Sequence, residues 1–308
     1  MQALFHQDAI VVPLGSGSRG NCTYIGDGHR GVLVDCGLST KQIFHRLECA
    51  GIGDTSIEGV LVTHEHLDHV GAARILDDRL FKKQERRIPF YMTRGTLVGL
   101  NPKCRPTRIE RISSGVPINI SEFRQGWTVE PYTIPHDTQD PVAFTVCIGD
   151  IRVGVITDLG RSTRVVERHL STLDVAVLEF NHDVEMLMDG EYPWRLKQRV
   201  RGPHGHLSNK QAGDLVGRAA SCRLKHLVLA HLSQDNNDPD LALEAAQSGL
   251  HDARTTGVTV EVAMQQIALD PMALQTPMDF RPVKPRRRKK KKATAVAPDD
   301  ANRQVSLF

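Results

Sequence analysis

The residues most suited to chemistry in this sequence are concentrated in one short segment, His64–His69, which reads HEHLDH. It follows the apolar run Val60–Thr63, so it stands at the end of a predicted buried strand. Four of its side chains, three imidazoles and the carboxylate of Asp68, are potential metal ligands. On a helix these four would fan around the axis, so we expect a loop that folds around an ion. A polar surface loop is the alternative, and the position at a strand end disfavours it.

A buried cluster of imidazoles and carboxylates is costly without a cation, because its polar groups would be desolvated and unpaired. This mixture of ligands suits Zn²⁺, Mn²⁺ or Fe. Three more candidates, His136, Asp158 and His231, each come just after a strand-like run. A lone residue of this kind is more often a cap or turn residue. Together with the first cluster, the three favour a metal site built at strand ends.

The pattern His-x-His-x-Asp-His after a buried strand, followed by a later His, Asp and His, resembles the metallo-β-lactamase superfamily. The resemblance extends over roughly residues 10–265. It implies an α/β fold, the metallo-β-lactamase fold, which is a four-layer αββα sandwich. In that fold two mixed β-sheets pack face to face and the helices lie outside.

The same resemblance implies two divalent metal ions, Zn²⁺, Mn²⁺ or Fe, with a shared hydroxide as nucleophile. One ion would be held by His64, His66 and His136. The other would be held by Asp68, His69 and His231, and Asp158 would bridge both. Asp35, which follows the apolar run Gly31–Val34, matches the family's first motif, and this match implies that it supports the metal-binding loop without contacting metal.

Two features of the sequence indicate which branch of the superfamily it resembles. Asp158 occupies the bridging position that is Cys in true β-lactamases of this fold, which favours phosphodiesterases and thioesterases. Only 72 residues separate Asp158 from His231, too few for the large insertion of RNA-processing and end-joining nucleases. The flanking segments resemble the YycJ/VicX-type (WalJ) group, whose members are similar to 5′-to-3′ DNA exonucleases. These segments are Gly15–Asn21, Leu178–Asp183, Gly205–Asn209 and Ala230–Ser233 with Asn236-Asn237. In the second segment, Phe180 departs from the small polar residue that the group would have at that position.

The flanking segments also suggest phosphate contacts. The glycine loop offers backbone N–H groups and the hydroxyls of Ser16 and Ser18, although a plain Gly/Ser turn is the alternative. His206, with the N-terminus of a helix that begins at Ser208, is suited to bind an anion. His182 is a candidate to donate to the scissile phosphate or to carry a proton to the leaving group, with a structural histidine as the alternative. We therefore predict catalytic roles for Asp68, His182 and His206. We predict substrate contacts for Ser16, Ser18, Asn21, His206 and Ser208.

Short apolar runs separated by turn signals predict the elements that must position these residues. The predicted strands are Ala9–Leu14, Cys22–Ile25, Gly31–Asp35, Val60–Thr63, Pro89–Met92, Trp127–Thr133, Val142–Ile148, Ile151–Ile156, Val175–Phe180, Lys225–His231 and Val258–Ala263. The predicted helices are Ser39–Ala50, Ser208–Ala220 with Ser208 as N-cap, and Pro239–Ser248 with Gly249 as the stop. Gly149-Asp150 predicts a two-residue hairpin.

Charge divides the chain into two predicted parts, a catalytic domain over 1–280 and a disordered basic tail over 281–308. The tail holds ten Lys/Arg and two Asp, a net charge of +8, and because the whole chain carries +3 the remainder carries −5. Arg286–Lys292 is an unbroken basic run, which favours DNA phosphates as a partner or is a solvated extension. The end of the tail is similar to peptides that bind the DNA sliding clamp, with Gln304, Leu307 and Phe308 as the contacts.

Other classes of protein are disfavoured. The six cysteines form no C-x-x-C pair, so we expect buried free thiols and no disulfide framework. We expect a cytosolic protein without a membrane partner, because we find no signal-like start and no apolar run long enough to span a bilayer.

The resemblance thus implies a dinuclear metal-dependent phosphodiesterase, a 5′-to-3′ DNA exonuclease that acts in DNA repair, and the basic tail agrees with a DNA substrate. One alternative is a hydrolase of small thioesters or lactones on the same fold, which would have no use for the tail. Another is a nucleic-acid-binding regulator with a dead site, which the complete ligand set disfavours.

Overall fold

The computed structural model describes residues 9–120 and 127–275, which form fourteen strands and nine α-helices. The strands are β1 Ala9–Gly15, β2 Cys22–Gly26, β3 Arg30–Val34, β4 Ser56–Leu61, β5 Phe90–Thr93, β6 Ile109–Ile112, β7 Ile118–Asn119, β8 Trp127–Thr133, β9 Val142–Ile148, β10 Ile151–Ile156, β11 Val175–Glu179, β12 His226–Ala230, β13 Thr259–Val262 and β14 Met272–Leu274. The helices are α1 Thr40–Cys49, α2 Leu67–Val70, α3 Ala73–Gln84, α4 Arg94–Gly99, α5 Arg164–Leu170, α6 Val184–Asp189, α7 Trp194–Val200, α8 Asn209–Ala219 and α9 Pro239–Asp252.

The strands form two seven-stranded mixed sheets with the same plan. The first has the order β14-β1-β2-β3-β4-β5-β6, and the second has the order β13-β12-β11-β10-β9-β8-β7. In each sheet an antiparallel part continues into a run of parallel strands, from β3 to β6 in the first and from β10 to β13 in the second. Parallel strands end at the same edge of a sheet, which is where such folds build their sites.

Successive side chains along a buried strand belong to different layers of the core. In β3, Val32 and Val34 belong to the cluster shared by both sheets, whereas Leu33 packs on the side of α1 and α3. In β11, Val177 faces the shared cluster and Leu178 packs on the side of α5, α8 and α9. Because successive side chains point to opposite faces, each sheet buries one face against the other sheet and one against helices. The predicted αββα sandwich is confirmed.

The predicted elements are present, with bounds that shift by a few residues. Ser208 is the N-cap of α8 with a complete capping box, and Gly149, at φ 58°, turns the hairpin between β9 and β10. The prediction that α9 stops at Gly249 is wrong, since the helix continues to Asp252. A Cβ at Gly249 would lie 2.3 Å from the carbonyl oxygen of Gly213 in α8. The glycine therefore serves the close approach of two helices and not a helix end.

Two further predictions concern the cysteines and the boundary of the domain. All six cysteines are free, but Cys49 and Cys222 are exposed, so the expectation that every thiol is buried is wrong. No helix within residues 9–120 and 127–275 is long and apolar enough to cross a bilayer. The described residues all fall within the predicted catalytic domain, and the predicted tail, 281–308, lies outside them.

Candidate metal centre

The candidate ligands converge where strands of both sheets end. His64 follows β4 in the first sheet, and His136, Asp158 and His231 follow β8, β10 and β12 in the second. Asp158 and His231 have positive φ values, 58° and 56°, and so does Asp35 after β3, at 62°. Non-glycine residues rarely adopt this conformation, and its presence at three strand ends around one cluster marks a functional centre.

One group of imidazoles matches the predicted first ligand set. His64, His66 and His136 each present a ligand atom within 4.8 Å of the others. His64 is fully buried, and its Nε2 has no hydrogen-bond partner among the described residues. A buried ring nitrogen without a partner is costly unless it binds something, so the set fits a metal ion that prefers nitrogen ligands.

A second group, Asp68, His69 and His231, also brings its ligand atoms within 4.8 Å. Asp158 lies between the two groups. Its Oδ2 is 2.9 Å from His69 Nε2, and its Oδ1 is 3.7 Å from both His136 Nε2 and His231 Nε2. The structure thus places Asp158 where one carboxylate can reach ligands of both groups.

The segment that carries the first four candidates is only partly a loop. Leu67–Val70 forms the single helical turn α2, with His66 as its N-cap. The expectation that all four lie on a loop is therefore wrong for Asp68 and His69. The turn separates the ligands, because His66 stays in extended backbone on the side of His136 while His69 points to Asp158.

Asp35 lies behind this segment. Its Oδ2 is 2.7 Å from His69 Nδ1, and its Oδ1 accepts a hydrogen bond from the backbone N–H of Thr63. Because a carboxylate only accepts, His69 carries a proton on Nδ1 toward Asp35, and its Nε2 is the nitrogen that faces the centre. Thr63 Oγ1 lies 3.0 Å from His64 Nδ1 and so continues the network. This is the geometry of the supporting role predicted for Asp35.

Glu179, the last residue of β11, is a member of the centre that sequence reasoning missed. It is fully buried, and its Oε1 lies 2.8 Å from His206 Nδ1 and 3.0 Å from His231 Nδ1. Its Oε2 accepts from the backbone N–H groups of Leu159 and Leu207. The signal in the sequence is the carboxylate of Glu179 inside the apolar run Val175–Phe180. Burying a carboxylate is costly unless it has hydrogen-bond or charge partners, so its position indicates that such partners exist.

Electrostatics in the centre keep its buried carboxylates ionised. Burial raises the pKa of Glu179, but His206 and His231 outweigh it and bring the pKa to about 2. Burial also raises the pKa of Asp158, while His231 and His69 hold it well below its usual range. Burial and the neighbouring His69 lower the pKa of His64, so this imidazole is neutral, the form that binds metal. Asp158 and Glu179 are therefore ionised, and against the effect of burial these carboxylates in turn raise the pKa of His231 to about 10 and, for Asp158, that of His69 well above its usual range.

The two predicted catalytic histidines differ in accessibility. The His206 side chain is 17% exposed at the edge of the cluster, with its Nδ1 held by Glu179 and 3.6 Å from Asp158 Oδ1. His182 is buried, and its Nδ1 has no hydrogen-bond partner among the described residues. Burial lowers the pKa of His182 to about 4, so its ring is neutral near neutral pH. His206 is thus the more accessible of the two.

Three predicted substrate contacts have their polar atoms engaged within the protein. Ser16 Oγ accepts from the backbone N–H of His231 and donates to Asn21 Oδ1, and Asn21 also accepts from Gly17 N. Ser208 Oγ caps α8. These side chains shape the loops and do not stand free for phosphate, while Ser18 has an exposed side chain. The glycine loop is also less open to phosphate than predicted, because several of its backbone N–H groups already donate hydrogen bonds within the protein.

Comparisons with known proteins agree with this geometry. A family model described as a beta-lactamase superfamily domain matches residues 30–232. The chain is 30% identical to the exodeoxyribonuclease YycJ of Bacillus anthracis over 237 residues, which is 74% of this chain and 84% of that protein. It is 29% identical to the exodeoxyribonuclease WalJ of Streptococcus pneumoniae over 236 residues, covering 74% and 83%. The crystal structure of the metallo-β-lactamase-fold protein YhfI from Bacillus subtilis superposes with a TM-score of 0.59 at 17% identity, covering 85% of this chain and 99% of that one, which shows a shared fold.

Proposed function

The chain belongs to the beta-lactamase superfamily, within a YycJ-type group of metal-dependent hydrolases, and we propose that it is a DNA exonuclease with two metal ions. The observation that carries the proposal is the pair of ligand groups that share the central carboxylate of Asp158. The relatives named exodeoxyribonucleases supply the substrate class. The direction 5′ to 3′ and a role in DNA repair are further parts of the proposal.

We assign one ion to the imidazole group and the other to the group of Asp68. The first set is His64, His66 and His136. The second set is Asp68, His69 and His231, with Asp158 common to both. Two divalent ions held in this way would acidify a water molecule and stabilise the charge that develops on a phosphodiester. The neutral His64 and the ionised Asp158 are the protonation states that such binding requires.

The other residues of the centre act on substrate and water. The Asp68 side chain is 23% exposed whereas that of Asp158 is 2% exposed, so Asp68 is the carboxylate that an incoming water reaches. Glu179 accepts from His206 Nδ1, so Nε2 is the ring nitrogen of this partly exposed side chain that is left for the substrate. In the proposal His206 donates to the scissile phosphate or to the leaving oxygen, and Ser18 contacts a flanking phosphate.

The C-terminal tail contributes affinity in this proposal and takes no part in the chemistry. Its basic run would attract DNA phosphates through counterion release. Gln304, Leu307 and Phe308 would bind a sliding clamp, and these residues lie outside the described part of the chain. Titration of a labelled peptide spanning 293–308 with a purified clamp tests this part, and absence of saturable binding would remove the clamp from the proposal.

The deciding experiment for the activity is hydrolysis of single-stranded DNA labelled at either end, with Zn²⁺ or Mn²⁺ supplied, beside a thioester substrate. We expect shortening of DNA from the 5′ end and no thioester turnover. Asp158→Asn and His66→Ala should abolish hydrolysis and lower the metal content measured by mass spectrometry. Asp214→Asn, on the exposed face of α8, is the matched control and should behave as wild type. Full turnover by metal-depleted Asp158→Asn would refute the two-metal centre, and thioester turnover alone would favour the rival hydrolase.

A further inference from the structure

We propose that residues 192–206, which comprise α7 and the loop after it, bind the single-stranded part of the DNA substrate beside the metal centre, with Trp194 stacking on a base and Arg199 holding a phosphate. We call this segment the α7 strip. The inference rests on the proposed function, because it takes DNA as the substrate. It adds the surface that would receive the strand and the contacts that would hold it.

The α7 strip is tied to the metal centre along its length. Before α7, the hydroxyl of Tyr192 donates to Asp235, four residues after His231. At the other end, Arg199 Nε and Nη2 bind the two carboxylate oxygens of Asp137, the residue after His136. The strip therefore lies next to the loops that carry ligands of both groups.

The loop after α7 reaches the ligands themselves. His136 Nδ1 lies 3.2 Å from the carbonyl oxygen of Gly205, and the backbone N–H of His206 donates to the carbonyl of Val200. A Cβ at Gly205 would lie 2.1 Å from the carbonyl oxygen of Arg199, so only glycine fits this turn. The close turn fixes α7 relative to His136 and His206.

Charge on the α7 strip is opposite to that of the body of the protein. Residues 192–206 contain four Lys/Arg and no Asp or Glu, in a chain whose residues 1–280 carry a net charge of −5. Arg195 and Arg201 are exposed, and neither forms an ion pair with another described residue. Lys197 is buried on the carbonyl of Met188, so Arg195, Arg199 and Arg201 are the cations that the strip presents, and these are complementary to a polyanion that approaches the centre.

Among the basic residues of the strip, Arg199 is the one held beside the metal centre, through Asp137. Its pKa is raised by the hydrogen bonds to Asp137 first, and the charges of Asp158 and Asp68 add to the shift. The guanidinium therefore feels both carboxylates of the metal centre. The paired contact with Asp137 holds its plane in place, and the remaining N–H groups stay available for a phosphate oxygen.

Trp194 supplies the second kind of contact. It is 55% exposed at the first position of α7, whereas the other tryptophan, Trp127, is buried. An exposed indole beside exposed arginines is a combination by which proteins bind single strands, since every base has a face that stacks. Trp194 and Arg199 are five positions apart, which is about 7.5 Å along a helix axis and roughly 140° around it, so a strand that curves over the exposed side of α7 can contact both exposed side chains.

Binding of full-length, metal-loaded protein to a phosphorothioate oligothymidylate tests the stacking, because this strand resists hydrolysis. We expect the strand to quench the fluorescence of Trp194, and we expect no quenching in Trp194→Phe, where only the buried Trp127 is left. Trp194→Ala should weaken binding about 5- to 100-fold, and Trp194→Phe should keep most of the affinity. Against an abasic strand of the same length, Trp194→Ala should bind as wild type does. Phe81→Ala, an exposed aromatic on α3, is the matched control.

The arginines are tested by the dependence of affinity on salt. Arg199→Lys should keep the slope but lower the affinity, and Arg195→Gln with Arg201→Gln should reduce the slope by about two. Lys41→Gln with Lys82→Gln, on helices outside the first sheet, should leave it unchanged. If Trp194→Ala and the arginine pair bind as wild type while DNA is hydrolysed, the strip is refuted and the proposed activity stands. If quenching and salt effects occur but no DNA is hydrolysed, the strip stands and the proposed activity is refuted.

Discussion

Carboxylates behind the imidazoles orient the metal centre at the scale of single residues. Asp35 lies against His69 Nδ1, and Glu179 lies against Nδ1 of both His206 and His231. A histidine whose Nδ1–H is held by a carboxylate presents Nε2 in a fixed direction and as a stronger base. Asp35 and Glu179 therefore fix the direction in which the candidate histidine ligands face the centre.

Replacing Glu179 by glutamine tests how much the carboxylate contributes to metal binding, because the histidines themselves are left unchanged. Glu179→Gln keeps the shape of the side chain but removes the charge that His206 and His231 face, so we expect metal affinity to fall about 10- to 100-fold. Competition with a chelator measures this affinity, and hydrolysis of DNA at saturating metal measures the effect on His206. Glu244→Gln, exposed on α9, is the control. Unchanged metal affinity in Glu179→Gln would show that Glu179 does not support the ligands.

His182 gives a prediction for the dependence of stability on pH. Burial lowers its pKa to about 4, whereas the unfolded chain has the ordinary value near 6.5. The unfolded state therefore binds the proton first, and the contribution of the neutral ring, present above about pH 6.5, is lost as the pH falls toward about 4. His182→Gln should lose less unfolding free energy than wild type between about pH 7 and pH 5, by on the order of 1–2 kcal/mol.

Urea unfolding at several pH values measures this difference. His251→Gln is the control, because the side chain of His251 is 91% exposed. Parallel pH profiles for wild type and His182→Gln would mean that His182 titrates normally in the folded protein.

Helices and strands position the centre through their ends and their closest contacts. The ligands follow the ends of strands, and α8 begins two residues after His206 behind a capping box at Ser208. On the outer side α8 packs on α9, where Gly213 and Gly249 allow the two backbones to approach. The helix that follows the site is thus held by a contact that tolerates no side chain.

Two glycine substitutions test this packing. In Gly249→Ala the new Cβ would lie 2.3 Å from the Gly213 carbonyl oxygen, so α9 must move, and we expect a loss of about 1–3 kcal/mol. In Gly217→Ala, also in α8, the nearest atom is the Cβ of Asp252 at 3.3 Å, and the better helix propensity of alanine should leave stability equal or higher. Thermal unfolding followed by circular dichroism compares them. Equal melting temperatures for both variants and wild type would contradict the role of Gly249.

The centre is a property of the whole domain, because the two sheets each supply part of it. His64, His66, Asp68 and His69 follow a strand of the first sheet, whereas His136, Asp158 and His231 follow strands of the second. The apolar cluster between the sheets brings the two sets together. Ions that bind both sets would stabilise the packed sandwich, since they bind the folded state alone.

Deleting residues 281–308 tests the division of the molecule into a catalytic domain and a tail. We expect the shortened protein to fold and to hydrolyse short strands as before, because every candidate ligand lies in 9–275. Binding to longer DNA should weaken and depend less on salt, since the removed segment carries a net charge of +8. Affinity measured over a range of salt concentrations checks this expectation, and an unchanged slope would exclude a role for the tail in DNA binding.

Local patterns in the sequence were sufficient to predict the strands and the candidate ligands at their ends, whereas the sandwich and the grouping of the ligands were implied by the resemblance to the superfamily. Alternation in runs such as Ile151–Ile156 depends on near neighbours, so strands and their ends can be recognised from spacing. The segment His64–His69 and the strand-end positions of Asp158 and His231 were informative for the same reason. The short helix at Leu67–Val70 was missed because one turn is too short to show a period.

Only the tertiary structure revealed what lies behind and beside these residues. Glu179 is buried at the end of a strand, but its contact with His231 joins residues 52 apart in the chain. The sequence predicts that the hydroxyl of Ser16 binds phosphate, but in the fold this hydroxyl accepts from the backbone N–H of His231, 215 residues further along the chain. Gly249 is predicted to end a helix, but in the fold it lies inside α9 where α8 packs against it. Spacing along the chain encodes local conformation, whereas these partners are set by how sheets and helices pack, which no local pattern records.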